Sequence, residues 1–153
     1  MNLYLPGDDL LDQALAEYMG FFWCRYQEGL VAGERVVRFL MSPKQFEEAK
    51  TKYGPSSIGV ATGQEVAEQL AYKSLPSYHS DRNAIAEVEA RLYSMRMWEL
   101  YVSQLRSALK MSISGLLTAE QNFMMITADA RARSTAAYLV IDGQRPKQQA
   151  LFG

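Results

Sequence analysis

A chain of 153 residues with 48% apolar and 22% charged residues is long enough for one domain with a sizeable core and far from the composition of a disordered segment. Its 16 Lys and Arg against 17 Asp and Glu argue against a dedicated nucleic-acid binder, which needs a basic excess for counterion release. No apolar run approaches the roughly 20 residues of a membrane helix, and Asp8 and Asp9 with no early Lys or Arg do not resemble a signal peptide, so a cytosolic protein is expected.

Asp8 or Asp9 can cap a first helix in which Leu10, Leu11, Ala14, Leu15 and Tyr18 recur at helical spacing until Gly20 stops it. The aromatic run Phe21 to Tyr26 and the β-rich run Val36 to Met41 predict an antiparallel pair. Ser42-Pro43-Lys44-Gln45 combines a cap, Pro at the first helical position and Gln at the third, predicting a short helix to Gly54 with Phe46, Ala49 and Tyr53 on its apolar side. Pro55 to Ser74 reads mainly as loop, with a helical turn or two around Val66, Ala67, Leu70 and Ala71 capped from Thr62. Ala84, Ile85, Val88 and Leu92 then form the stripe of a second long helix. Met95 to Leu109 fits two periods. Trp98, Leu100 and Val102 alternate like a strand, whereas Trp98, Val102, Leu105 and Leu109 suit a helix; strand is the favoured reading. Phe123 to Ile126 reads as a short strand running into a helix capped by Thr127 and lasting to Asp142-Gly143. The tail, 144–153, has no periodicity and is expected to be mobile, with Leu151 and Phe152 able to dock on a partner.

Three segments carry a family resemblance: Leu11-Asp12-Gln13-Ala14-Leu15-Ala16-Glu17-Tyr18-Met19-Gly20 with the aromatics after it, Leu75-Pro76-Ser77-Tyr78-His79-Ser80-Asp81, and the stretch from Thr127 to Ala137. With them the chain resembles the phage ABA-sandwich domain family, small proteins of phages and prophages. The resemblance implies an α+β fold, a small, largely antiparallel sheet covered by helices. It further implies one domain over 1–143 with an insertion at 44–74, and action in the host bacterial cytoplasm. It carries no catalytic residues over.

The chemistry-bearing motifs are few. His79, the only histidine, is followed by Ser80 and Asp81, but three adjacent turn residues cannot converge as base, nucleophile and orienter. One His and one Cys leave no zinc spacing, and Gly54, Gly59 and Gly63 form no nucleotide fingerprint, so neither enzyme chemistry nor a cofactor or metal is expected. Cys24, Trp23, Trp98 and the eight methionines suit core or interface. Binding remains. Tyr78, His79, Ser80 and Arg82 open one helix while Thr127, Arg131 and Arg133 open another, offering hydroxyls, an imidazole and guanidinium forks to a phosphate-bearing small molecule. Ser80 and Thr127 could equally just cap, and the arginines pair with carboxylates. The expected function is non-catalytic sequestration of a small anionic, nucleotide-derived host defence signal. The alternative is an accessory protein docking on a host or phage protein through apolar surface at Met95 to Met111 or the tail. Homo-oligomers are compatible with either.

Overall fold

The computed structural model describes residues 7–27, 36–61, 67–69 and 75–144. It is an α+β protein of six helices and one four-stranded sheet among these residues. The first elements follow their sequence signals. Helix α1 (Asp8–Tyr18) ends where Gly20, at φ 99°, lets Phe21 N–H reach back to the Ala16 carbonyl. Strands β1 (Phe22–Gln27) and β2 (Val36–Met41) pair antiparallel, with Phe22 opposite Met41 and Arg25 opposite Arg38. Helix α2 (Pro43–Tyr53) starts on a full capping box: Gln45 N–H donates to the Ser42 hydroxyl, and the Gln45 side chain accepts from Ser42 N–H.

The chain divides into two compact units. One comprises Asp12–Pro76 and holds the sheet, in the order β3-β1-β2-β4. Strand β3 (Ile58–Val60) adds antiparallel to β1, and β4 (Ala67–Gln69) adds parallel to β2. Residues 67–69 are therefore strand, correcting the helical turn expected there; the Thr62 cap lies outside the described residues. The 44–74 stretch expected as an insertion thus supplies α2 and both outer strands. On one sheet face, Phe22 and Tyr26 meet Phe46 and Tyr53 of α2 edge to face, with Cys24 buried between them in sequence. Trp23, Arg25, Arg38 and Leu40 occupy the opposite face.

The other unit comprises residues 1–11 and Ser77–Gly153. Helix α3 (Arg82–Ser94) buries Ile85, Val88 and Leu92, three of the four stripe residues. Residues 95–109 are not a strand: helix α4 (Trp98–Ala108) occupies them and buries Tyr101, Leu105 and Arg106. Nor is Phe123 to Ile126 a strand, for it belongs to helix α5 (Ala119–Thr127), begun by a Thr118/Gln121 capping box. Hence the two strands expected from the apolar patterns of Met95 to Leu109 and Phe123 to Ile126 are replaced by helices. Helix α6 (Ala130–Gln144) packs on α4 and α3. Its buried side chains Ala130, Ser134, Ala136 and Ala137 are small, which lets neighbouring backbones approach. The tail beyond Gln144, with Leu151 and Phe152, lies outside the described residues. No helix among the described residues is long and apolar enough to cross a membrane.

Candidate functional site

The starts of α3 and α6 each carry a carboxylate of their own that takes up first-turn N–H groups an anion would seek. Asp81 accepts from Asn83 and Ala84 N–H, and Asp129 accepts from Ala132 N–H at 2.8 Å. Neither Ser80 nor Thr127 is the cap. Ser80 is exposed, and Thr127 closes α5 by donating its hydroxyl to the Phe123 carbonyl one turn back. Arg82, the first residue of α3, is also exposed.

Two of the seven predicted site residues come together. Asp8, from the first turn of α1, forms an ion pair with Arg131 and lies 3.8 Å from His79 Nε2. Asp8 thus joins the segment before α3 to the first turn of α6. The side chains are partly open: Asp8 and Arg131 are nearly half exposed, His79 about a quarter. What the cluster can do is hold a carboxylate-like group between an imidazole and a guanidinium.

Arg133 and Tyr78 have other work. Tyr78 is buried, and its carbonyl accepts the buried Ser134 hydroxyl of α6. Arg133 is enclosed by carbonyls and a carboxylate. It donates through Nε to Ala128 O at 2.8 Å, through Nη2 to Met125 O and Ile126 O, and through Nη1 to Glu89 Oε2 at 2.8 Å. The same Glu89 oxygen accepts the Tyr101 hydroxyl at 2.6 Å. One partly buried node therefore ties α3, α4, α5 and α6, with Arg133 satisfying the C-terminal carbonyls of α5. Burial, followed by the hydrogen bond and charge of Glu89, drives the Tyr101 phenol far above its ordinary range, which keeps its hydroxyl a donor.

The other reactive groups are equally withdrawn. Cys24 is buried, and burial pushes its thiol from 9.0 up to about 11, so it carries no thiolate nucleophile near neutral pH. Among the described residues no three His, Cys, Asp or Glu side chains gather as metal ligands would. Arg106 is buried too, with its guanidinium turned to main-chain oxygens: Ser112 O at 2.6 Å, Ser114 O at 3.1 Å and Gly115 O at 3.2 Å.

Sequence reasoning missed Asp8, Glu89, Tyr101 and Arg106. Glu89, four positions after Ile85 and two before Arg91, lies off the apolar stripe and reads as solvated; only the position of Arg133 opposite it reveals its role.

The apolar surface is less withdrawn. No residue of α5 is buried, and Phe123 and Ile126 on one of its sides are 66% and 69% exposed. In the segment leading into it, Ile113 is 62% and Leu116 99% exposed. A groove beside α5, lined by Leu109, Met124, Thr127, Ala128 and Ala132, runs between the ends of α4 and α5 and the start of α6.

No family model matches the chain, and no curated protein or solved structure shows significant similarity to it.

Proposed function

We propose that this chain acts by docking on another polypeptide through α5 and the segment before it, as a non-catalytic accessory protein. The observation that carries the reading is an apolar helix none of whose residues is buried. A nine-residue helix is too short to persist on propensity alone. Here it is held by polar fixings at both ends, the Thr118/Gln121 capping box and the Arg133 bonds to its last carbonyls, while Phe123 and Ile126 stay largely in solvent. Such a surface suits an interface core, where aromatic and Met side chains are enriched. The family resemblance makes a host or phage protein the natural partner.

A photo-crosslinking residue at Phe123 in the producing cell is expected to capture a discrete polypeptide, and the same residue at Glu48 on α2 is not. Phe123→Asp with Ile126→Asp should weaken that capture by about 100-fold, the scale of an interface hot spot, with folding stability altered by about 0.5 kcal/mol or less. Equal capture from both positions, or capture indifferent to the double substitution, would sink the proposal.

A second reading, sequestration of a small phosphate-bearing molecule, has one observation in its favour: Asp8 already places an oxyanion beside His79 and Arg131. A phosphate would have to displace it. Asp8→Asn should then raise affinity for adenosine monophosphate by about tenfold in calorimetry, a change of 1.4 kcal/mol; unchanged or weaker binding would remove this site.

A further inference from the structure

We infer, resting on the docking reading above, that the polypeptide α5 meets is a second copy of this chain, the two helices lying antiparallel about a two-fold axis beside Phe123. Within α5 only Gln121 and Met125 are half-buried, which fixes its inward side. At about 100° per residue, Phe123 then stands at the centre of the outward side. Ala119 and Ile126 run along one flank of it and Glu120 and Thr127 along the other, all of them exposed.

In an antiparallel pair, each residue three or four positions before Phe123 meets one three or four positions after it in the second copy. Ile126 then falls against Ala119, a large side chain against a small one, which lets the helices come close. On the other flank Glu120 falls beside Thr127, at the edge of the groove that Leu109, Met124, Ala128 and Ala132 line. Lys110 follows Leu109 on the wall of that groove and is exposed. Glu120 is the only charged residue of α5, and among the described residues neither its side chain nor that of Lys110 has a hydrogen bond or ion pair. The neighbouring charges are taken: Asp129 accepts from Ala132 N–H, and Arg131 pairs with Asp8. Opposite charges therefore meet twice, once on each side of the axis, and the N-terminal end of each α5 lies against the C-terminal end of the other, as helix dipoles favour. Leu116, 99% exposed and just ahead of the helix, comes to the end of the second α5 where the groove opens. A foreign partner would need neither this reversal of sizes nor opposite charges at the two ends of one patch. Ridge and groove on the same patch close at two copies and leave no free half for a third. The contact is small, for a nine-residue helix is about 14 Å long, so a dissociation constant on the order of 10 µM is expected.

Sedimentation equilibrium of the whole chain at about 1 to 200 µM is expected to show monomer and dimer and nothing larger. Phe123→Asp should weaken the dimer about 100-fold, since it acts on both sides of the axis. Glu120→Lys and Lys110→Glu should each weaken it about tenfold. Together in one chain they should restore it to within about threefold of the original, a rescue that mere loss of apolar surface cannot give. Photo-crosslinking from position 123 in the cell tells the dimer apart from docking on another protein. A dimer seen by both methods supports the two readings together. A monomer at every concentration that still captures a different polypeptide from position 123 overturns the dimer and leaves docking standing; a monomer that captures nothing sinks both. A crosslink to the chain's own tail, 145–153, or a dimer indifferent to Phe123→Asp or to the charge exchange, also overturns the arrangement.

Discussion

Arg133→Ala is expected to lower the unfolding free energy by about 2–3 kcal/mol, because a largely enclosed guanidinium loses several charge-assisted hydrogen bonds at once. Glu89 would keep its charge with only Tyr101 to bond it, and the carbonyls of Met125, Ile126 and Ala128 would lose their donor together. Arg131→Ala, two positions away, should cost about 1 kcal/mol or less, because its pair with Asp8 is half open to solvent. Urea unfolding of the two variants measures the contrast directly. Arg133→Lys would retain the charge opposite Glu89 yet lose the fork, and should fall between them. If Arg133→Ala and Arg131→Ala proved equal, the node joining four helices would have no special weight.

Arg106→Ala should cost about 2–3 kcal/mol, since hydrogen bonds from a charged donor are the strong ones. The more telling readout is local. Arg106 is the fastening of residues 112–115, holding their carbonyls of Ser112, Ser114 and Gly115 at the end of α4. Amide exchange in that segment is expected to accelerate at least tenfold in the variant while α1 and the sheet stay protected. Because the segment leads to Leu116 and Thr118, the loss should also loosen the start of α5 and weaken whatever α5 binds. Unchanged exchange across 112–115 would show that the loop holds itself.

Legibility in the sequence followed the presence of local punctuation. Helix α1 ends at a glycine, and α2 begins at Ser42-Pro43 with Gln45 in place; both were readable. The ends of α3 and α4 use the same reversed turn that closes α1, but put Arg96 (φ 59°) and Lys110 (φ 58°) in the left-handed position usually given to glycine. With no glycine to mark either boundary, the stretch between them offered only its periodicity, which fits both helix and strand. For α5 a signal existed: Thr118-Ala119-Glu120-Gln121 is a capping box, and weighing it above the short apolar run Phe123 to Ile126 would have predicted the helix. Of the candidate site, residue types were visible but their commitments were not. Nothing near Arg133 in sequence tells that Glu89 faces it, and nothing near His79 tells that Asp8 stands beside it.

The division of the chain also bears on the order in which it can fold as it is made. The sheet unit is a single continuous stretch, Asp12–Pro76, set inside a helical unit whose first piece, residues 1–11, precedes it. The four strands among the described residues can pair once that stretch has left the ribosome, before any of α3 to α6 has emerged from it. Asp8, by contrast, waits for Arg131, which belongs to α6, the last of the described helices to emerge. The helical unit is therefore the late-closing part of the molecule, and until it closes, the apolar faces of α3, α4 and α6 are open to any partner that meets the chain during synthesis.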